Sequence, residues 1–214
     1  MASPTSDKGG DVAAEQYALP SSTTVTEAGE LAVLDEHGTK LPFKDLYAGP
    51  GRHLIVFIRH FFCGHCEDYV RTLSTHLTPA KFSSANADLT IVGCGQPHVI
   101  ADYHKRTACA FPIYCDPDRQ LYAKLGMLTN LDLGEKKPEY ITSGIVGGTL
   151  SSMWTMIKSG TKVLGGGNYS QNGGEWLFEG GEVRWCHRMK NTRDHAEIGE
   201  VVSVLGLEGD AAGA

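Results

Sequence analysis

The chain has 214 residues and a formal net charge of −6 at pH 7. A chain of this length can bury one hydrophobic core, so a single domain is expected. The negative charge and the lack of a basic patch argue against nucleic acid and against anionic membrane surfaces as partners.

The two ends of the chain are rich in small and polar residues. Residues 1–27 have neither the apolar segment of a secretory signal nor the Arg-rich pattern of a transit peptide. We therefore predict a disordered tail over residues 1–27, one domain over residues 28–207 and a flexible C-terminus over residues 208–214. A cytoplasmic location is expected, where the six cysteines would serve as core residues, metal ligands or redox groups.

From about residue 30, strand-like and helix-like segments alternate. "LAVLDEHG" predicts a short strand and a turn, and "HLIVFIRH" predicts a strand buried on both faces. "CEDYVRTLSTHL" predicts a helix, because Cys66, Val70, Leu73 and Leu77 share one face. The segments "LTIVGCG", "HVIADYHKRTACA" and "FPIYCD" continue the pattern as strand, helix and strand.

The last third contains a helix, a hairpin and a closing helix. "DPDRQLYAKLG" predicts a helix capped by Asp116 and ended by Gly126. "EWLFEGGEVRWCHRM" predicts a hairpin that turns at residues 180–181. "DHAEIGEVVSVLG" predicts a helix that starts with a capping box of Asp194 and Glu197. The whole pattern predicts an α/β fold with a mixed central β-sheet flanked by helices.

Residues 128–172 form an insertion before the hairpin. The segment at 141–157 carries no charge, but it is too short and too rich in Ser, Thr and Gly to span a membrane. It is expected either to form a helix that packs on the core or to act as a substrate-binding lid. A lid would bring Met153 and Trp154 together with Phe62 as a pocket for an apolar substrate.

The motif Cys63-Gly64-His65-Cys66 stands where a strand meets a helix. The first turn of a helix favours an anion, so a thiol placed there ionises more easily. Arg59, His60 and His65 can add positive charge. Cys63 is expected at the start of the helix within reach of solvent, and Cys66 on its apolar face. This asymmetry predicts Cys63 as the attacking thiolate and Cys66 as the resolving thiol.

Two structural roles compete with this interpretation. A zinc site usually needs four ligands, yet no second Cys-x-x-Cys is present and Cys186 and His187 are adjacent, so no metal is predicted. The two cysteines could also be inert core residues, but their position at a strand–helix junction favours a redox dithiol. Cys94, Cys109 and Cys115 are expected to be small buried hydrophobes, whereas Cys186 in the hairpin fits either role.

Three segments carry a family resemblance: "VFIRHFFCGHCEDYV", "CGQPHVIADYHKRTACAFPIYCDPDRQLYAKLGM" and "RWCHRMKNTRDHAEI". Together they resemble the AhpC/TSA-type peroxiredoxin-like 2 family, in its AhpC/TSA antioxidant enzyme domain-containing branch. The resemblance spans about residues 50–205 apart from the insertion. It implies a thioredoxin-like fold and thiol-dependent reduction of a peroxide-like bond, with Cys63 and Cys66 as the catalytic residues. One member of the wider group reduces a lipid endoperoxide with a Cys-x-x-Cys pair.

The sequence departs from this family pattern near the cysteines. The Thr-x-x-Cys pattern of ordinary peroxiredoxins, whose threonine helps to position the peroxide, is missing, and Phe61 and Phe62 lead into Cys63; this argues against hydrogen peroxide as the preferred substrate. The cis-proline loop of thioredoxins is not recognisable, and Gly173 and Gly174 are expected to supply the close backbone approach instead.

Three functions follow from these observations. The first is reduction of a peroxide or endoperoxide, with an apolar small molecule as the substrate. Arg59 would stabilise the thiolate, while Arg184 or Arg188 would polarise the peroxide unless they are ordinary exposed arginines. The second is reduction or oxidation of a protein or small-molecule disulfide, and the third is ligand binding by a redox-inactive thioredoxin-like module.

Neither enzyme needs a bound cofactor or metal. Both need an external thiol reductant, so a thioredoxin or glutathione system is the expected electron donor. Peroxiredoxin relatives often form homodimers, although no apolar stripe in this chain requires one.

Overall fold

A computed structural model of the chain describes residues 15–141 and 164–207. Within these ranges one mixed sheet has the strand order β2-β1-β5-β4-β3-β6-β7. The pairs β3·β4 and β4·β5 are parallel, and the other neighbours are antiparallel. The strands are β1 Ala32–Leu34, β2 Lys40–Pro42, β3 Arg52–Phe57, β4 Ala87–Gly93, β5 Ile113–Cys115, β6 Gly174–Glu179 and β7 Glu182–Arg188.

Helices cover both faces of this sheet. The α-helices are α1 Ser22–Gly29, α2 Gly64–His76, α3 Pro79–Ser84, α4 Ile100–Thr107, α5 Gln120–Lys124 and α6 Ile198–Val204. Two short 3-10 helices lie at Phe43–Tyr47 and Pro97–Val99. The mixed α/β architecture agrees with the prediction, and strand β2 and helix α3 were not predicted.

Strand β3 is the centre of the fold, because it separates two hydrophobic clusters. Leu54 and Val56 point into the cluster that contains the buried face of α2, whereas Ile55 and Phe57 point into the cluster beneath α1 and α5. All four side chains are fully buried. The strand therefore needs apolar residues on both faces, as the sequence "HLIVF" supplies. Its carboxyl end delivers the chain to the start of α2.

The predicted face of α2 is confirmed: Cys66, Val70 and Leu73 have no exposed surface, and Leu77 is 2% exposed. The helix thereby fixes Cys66 in the interior, one turn from the junction with β3.

The prediction of a disordered tail over residues 1–27 is wrong for residues 15–27. Helix α1 begins within this range, and Gln16 is only 5% exposed. The side chain of Tyr17 stacks on His187, with ring centroids 5.3 Å apart. Composition suggested disorder because the segment is polar, but its few larger side chains find partners on β7.

The predicted capping box of the last helix is also wrong. Helix α6 begins at Ile198, and Glu197 occupies the N-cap position without a capping hydrogen bond, because its carboxylate accepts the backbone N–H of Glu139 at 3.1 Å. The Asp194 carboxylate instead accepts hydrogen bonds from the backbone N–H of Lys190 (2.7 Å) and the side-chain amide of Gln16 (2.9 Å). The helix cannot start earlier because His195 is drawn into the core, where it is 3% exposed.

Helix α5 ends where predicted but starts later: it begins at Gln120 with Arg119 at the N-cap position, so the prediction of Asp116 as its cap is wrong. The Asp116 carboxylate accepts the backbone N–H of Leu121 (2.8 Å). Gly126 follows the helix with φ +75°, a conformation that glycine adopts without strain. The N–H of Met127 then donates to the carbonyl of Tyr122 (2.9 Å) and closes the helix.

The two ends of the insertion lie side by side. Thr129 and Gln171 form an isolated antiparallel bridge, and the N–H of Asn130 donates to the carbonyl of Ser170 (2.8 Å). The middle of the insertion lies outside the described residues, including Met153 and Trp154. The predicted helix or lid at 141–157 falls almost entirely there and stays a prediction.

Candidate active site

The two cysteines of the motif lie together at the start of α2. Cys63 is the N-cap residue, and its sulfur accepts the backbone N–H of Cys66 at 3.3 Å. The Cys66 thiol points back to the same sulfur, with Sγ–Sγ 2.7 Å. A Cys63 thiolate at this position therefore accepts two hydrogen bonds and faces the positive end of the helix dipole.

Arg59 supplies the positive charge at this junction. One guanidinium nitrogen donates to the Cys63 sulfur at 3.5 Å, and the Nε–H donates to the carbonyl of Gln171 at 3.1 Å. The second terminal nitrogen of the guanidinium donates a hydrogen bond to the carbonyl of Tyr169. Because Arg59 is only 6% exposed, its charge acts on the sulfur through protein and little water.

These contacts shift the pKa values of the two thiols in opposite directions. Burial opposes ionisation of Cys63, but the hydrogen bond from Cys66 and the charge of Arg59 outweigh it and hold the pKa well below its usual range. Burial raises the pKa of Cys66, and the negative charge that develops on Cys63 raises it further. The geometry therefore makes Cys63 the thiolate and Cys66 a neutral thiol in the reduced protein.

Two expectations about this junction need correction. Cys63 was expected to be open to solvent, yet its residue is 4% exposed and Cys66 is fully buried. Nor are His60 and His65 sources of positive charge. Burial lowers the pKa of His60 to about 4 and also lowers the pKa of His65, so both rings are largely neutral at pH 7.

Sequence reasoning missed the group that contacts Cys66 on its other side. The Nε2 atom of His195 lies 3.4 Å from the Cys66 sulfur. Its Nδ1 atom lies 2.5 Å from a carboxylate oxygen of Glu175, the second residue of β6. Tyr69 stacks on the imidazole with ring centroids 4.3 Å apart and an interplanar angle of 7°, which fixes the ring.

Glu175 is a fully buried carboxylate with several partners. It accepts hydrogen bonds from Nδ1 of His187 (3.1 Å) and from the backbone N–H of Ala196 (3.2 Å), in addition to His195. Burial alone would raise the pKa of Glu175, but the two imidazoles outweigh it and lower the pKa to about 2. The carboxylate is thus ionised at all ordinary pH values.

A Gly-rich turn covers the junction from the insertion side. The N–H of Phe61 donates to the carbonyl of Gly166 (2.9 Å), and the N–H of Gln96 donates to the carbonyl of Gly165 (2.7 Å). A Cβ on Gly167 would lie 2.7 Å from the sulfur of Cys94, so only glycine fits there. The sequence did not indicate a role for these glycines. In the structure they allow the backbone to pack against the residues before Cys63.

Comparison with known proteins places the chain in a family. Residues 72–191 match the sequence model of the AhpC/TSA antioxidant enzyme family, which is more than half of the chain. The chain belongs to this AhpC/TSA family. The matched segment begins after Cys66, so the assignment rests on the sequence of residues 72–191 and not on the Cys-x-x-Cys motif itself.

The chain is also similar to individual members of the wider group. It is 32% identical over 181 residues to peroxiredoxin-like 2C of Homo sapiens, which covers 84% of this chain and 79% of that protein. This similarity agrees with the resemblance to the peroxiredoxin-like 2 family that the motifs indicated.

Solved structures with the same fold are peroxiredoxins. The bacterioferritin comigratory protein of Xanthomonas campestris superposes with a TM-score of 0.55 at 15% identity, over 88% of this chain and 93% of that chain. A peroxiredoxin-like protein from Aquifex aeolicus superposes with a TM-score of 0.54 at 12% identity, over 83% and 82%. The thioredoxin-like fold of this AhpC/TSA family member is therefore confirmed.

The two hairpin arginines do not reach the cysteines in this AhpC/TSA chain. Arg184 is about half exposed and pairs with Glu179 and Glu182. Arg188 donates to the carbonyl of Leu125 (2.8 Å) and to backbone carbonyls of the N-terminal segment, on the opposite side of the sheet from Cys63. The expectation that either polarises a peroxide at the cysteine pair is wrong.

Phe62 does not line an open substrate pocket, contrary to expectation. It is 1% exposed, and the guanidinium of Arg106 lies over its ring at 4.9 Å. The ring belongs to the hydrophobic cluster beneath α2.

Gly173 and Gly174 do provide a close backbone approach, but toward neighbouring strands. A Cβ on Gly173 would lie 1.8 Å from the carbonyl oxygen of Phe57, and one on Gly174 would lie 2.3 Å from that of His187. The two glycines thus pack the start of β6 against β3 and β7 instead of facing the sulfurs.

The four remaining cysteines are not activated. Cys94, Cys115 and Cys186 are at most 2% exposed, and Cys109 is partly exposed. Burial raises the pKa of Cys94 to about 11 and that of Cys115 to about 12, and it also raises the pKa of Cys109 and Cys186. Their thiols stay protonated at pH 7, which agrees with the role of small core residues.

Residues 15–141 and 164–207 contain neither a metal-binding cluster nor a membrane-spanning helix. No group of three or more His, Cys, Asp or Glu side chains in these ranges is arranged to hold a metal ion. No helix in the same ranges has the length and apolar character needed to cross a membrane.

Proposed function

We propose that the chain is a thiol-dependent peroxidase that reduces a peroxide or endoperoxide with Cys63 as nucleophile and Cys66 as resolving thiol. One observation carries the proposal: the Cys63 sulfur receives the Cys66 thiol at 2.7 Å and the Arg59 guanidinium at 3.5 Å, at the start of α2. This set of contacts favours a thiolate that has its disulfide partner within bonding reach.

The chemistry balances without a bound cofactor. With a hydroperoxide, the Cys63 thiolate attacks the terminal oxygen and breaks the O–O bond, which leaves Cys63 as a sulfenic acid and releases an alkoxide that takes up a proton. With an endoperoxide, the same attack leaves a sulfenate ester, because both oxygens carry carbon. The Cys66 thiol then loses its proton and attacks the Cys63 sulfur, so that a disulfide forms and water leaves from the sulfenic acid, or an alcohol from the ester. An external dithiol or glutathione returns the pair to the reduced state and completes the cycle.

The proposed substrate is an organic peroxide, not hydrogen peroxide. His60, and not a threonine, stands three residues before Cys63, so the chain lacks the hydroxyl with which ordinary peroxiredoxins position a small polar peroxide. The Xanthomonas campestris protein of the same fold was described for its alkyl peroxide reduction activity, which supports this class of substrate.

The test is rapid mixing of the reduced protein with cumene hydroperoxide, with hydrogen peroxide as the comparison substrate. Cys63→Ser should abolish peroxide consumption. Cys66→Ser should consume one equivalent and leave a Cys63 sulfenic acid that dimedone traps. Cys109→Ser is the control, because this thiol is more exposed than Cys63 but has a raised pKa, and the rate of the variant should be unchanged. Consumption by Cys63→Ser at the wild-type rate would overturn the proposal.

Disulfide exchange is the second candidate, because the same contacts prepare Cys63 to attack a disulfide sulfur. Insulin reduction by the same preparation distinguishes the two. Turnover of insulin with no oxidation by hydroperoxides would favour exchange over peroxide reduction. If Cys63→Ser keeps the biological activity, the protein is a binding module and both enzyme proposals fail.

A further inference from the structure

The resolving step needs a base that the cysteine motif does not contain. Cys66 is fully buried, so water cannot remove its proton directly. The Arg59 guanidinium donates to the Cys63 sulfur and the Arg59 backbone N–H to Cys66, but both are donors and neither can accept a proton. Something within the protein must therefore accept the Cys66 proton before the disulfide can form.

His195 is placed to accept it. Nδ1 of this ring lies 2.5 Å from the ionised Glu175 carboxylate, which can only accept a hydrogen bond, so Nδ1 carries the proton. The lone pair of a neutral ring is then on Nε2, which lies 3.4 Å from the Cys66 sulfur. The parallel stack with Tyr69 keeps the ring in this orientation.

The ring is shielded from bulk water. A surface pocket of about 640 Å³ lies beside it, lined by carboxylates and also by the cations Lys136, Lys137, Lys190 and Arg193, but the His195 side chain itself is fully buried. A proton taken from Cys66 is therefore held beside the two sulfurs, where the leaving hydroxide can take it up.

We propose that His195, oriented by Glu175, is the general base that deprotonates Cys66 in the disulfide-forming step. This inference rests on the proposed role of Cys63 and Cys66. Nε2 of His195 takes the proton from the Cys66 thiol, and the thiolate attacks the Cys63 sulfenic acid. The S–O bond breaks, the hydroxide that leaves takes the proton from the imidazolium, and water is released. Glu175 is a positioning residue, because it contacts the imidazole and not the sulfur.

The test separates two rates after single mixing with cumene hydroperoxide. The first is formation of the Cys63 sulfenic acid, and the second is its conversion to the disulfide. In His195→Gln the second rate should fall by about 10²- to 10⁴-fold, the usual contribution of a general base, while the first stays within about threefold of wild type. The sulfenic acid should accumulate and react with dimedone.

A pH profile distinguishes a base from a structural support. In wild type the second rate should rise by much less than tenfold per pH unit, because the imidazole and not hydroxide removes the proton. In His195→Gln it should keep rising about tenfold per pH unit, because hydroxide must then remove the proton. Glu175→Gln should give an intermediate loss with the same change of slope. The matched control is His53→Gln, which removes another buried histidine paired with a carboxylate, Asp88, at the far end of β3.

The outcomes distinguish a failure of this inference from a failure of the proposed function. If His195→Gln forms the disulfide at the wild-type rate, the inference is wrong and the peroxidase proposal stands. If both rates fall together and the Tm falls with them, His195 is only structural and the inference is also wrong.

If wild type forms no sulfenic acid, the peroxidase proposal fails, and the base is tested with Ellman's disulfide in a Cys109→Ser background. Attack by Cys63 releases the first thionitrobenzoate and attack by Cys66 releases the second. A second release that is not delayed in His195→Gln would overturn the inference there as well.

Discussion

Replacement of Arg59 by methionine tests how the thiolate of Cys63 is stabilised. The guanidinium donates to the sulfur at 3.5 Å, and both residues are at least 94% buried. At this distance Coulomb's law gives about 5 kcal/mol with an effective dielectric constant of 20 and about 1 kcal/mol with that of water. Loss of one opposite charge in this range makes ionisation of a thiol roughly 10- to 1,000-fold less favourable.

The effect on rate is smaller than the effect on ionisation. A thiolate of higher pKa is a better nucleophile, with a Brønsted coefficient of about 0.4–0.5. At pH values below the pKa of the variant thiol, a 100-fold weaker ionisation therefore lowers the reaction with a peroxide by roughly 10-fold. The Cys66 N–H and thiol still donate to Cys63 in the variant, so activation is weakened and not lost.

The assay is the pH dependence of iodoacetamide alkylation at Cys63, followed by peptide mass spectrometry to separate it from the other cysteines. Wild type should react at pH values well below the ordinary thiol pKa, and Arg59→Met should need a higher pH. Arg106→Met is the control, because it removes a cation that contacts Phe61 and Phe62 at the same junction but does not donate to Cys63. An unchanged alkylation profile in Arg59→Met would refute the electrostatic argument.

Two further predictions concern stability. Glu175→Gln should cost about 3–5 kcal/mol in urea unfolding, because it removes the charge from a buried network, whereas Glu179→Gln in an exposed pair should cost under about 1 kcal/mol. The folded-state pKa of Glu175 is lowered to about 2, so its contribution to the free energy of unfolding is complete above about pH 4.5 and is lost as the pH falls toward 2. The stability of Glu175→Gln should therefore depend less on pH in this range. An equally steep loss of stability with pH in wild type and variant would contradict this. Gly173→Ala should cost about 1–3 kcal/mol or more, because its Cβ would meet the Phe57 carbonyl oxygen at 1.8 Å. Gly199→Ala in α6 is the control: its Cβ would meet no other atom, so the substitution should be neutral or stabilising. Equal Tm values for the two alanine variants would contradict the prediction, because they would show that the backbone at Gly173 moves away from the Phe57 carbonyl at no cost.

Local patterns predicted much of the fold and the primary pair of the site. The buried strand β3, the apolar face of α2 and the hairpin follow from periods of two and 3.6 residues and from turn residues. Cys63 and Cys66 could be assigned unequal roles because their positions at a helix start depend only on neighbours in sequence. The structure agrees with these roles, because the pKa of Cys63 is lowered and the pKa of Cys66 is raised.

The Glu175 network could not be derived in the same way, because it depends on strand register. Counting from the turn at residues 180–181 places Glu175 opposite Cys186. A register shift between Leu177 and Phe178 moves the pairing by one residue and brings His187 opposite instead. One signal was present in the sequence: a charged residue inside the apolar run of β6 must have buried partners. His195 is contributed by a separate segment, so only tertiary packing reveals that it is the partner.

The ordered segment before α1 has a practical consequence for protein engineering. Gln16 hydrogen-bonds to His187, and Tyr17 stacks on the same ring, so these two residues shield one edge of the buried carboxylate. A shortened protein that starts at residue 28, the boundary suggested by composition, would lose this cover and admit water beside Glu175. Hydration there would weaken the hydrogen bonds between the Glu175 carboxylate and the two imidazoles. Removal of the N-terminal segment would therefore change the rate of disulfide formation at Cys63 and Cys66, although the segment does not contact them.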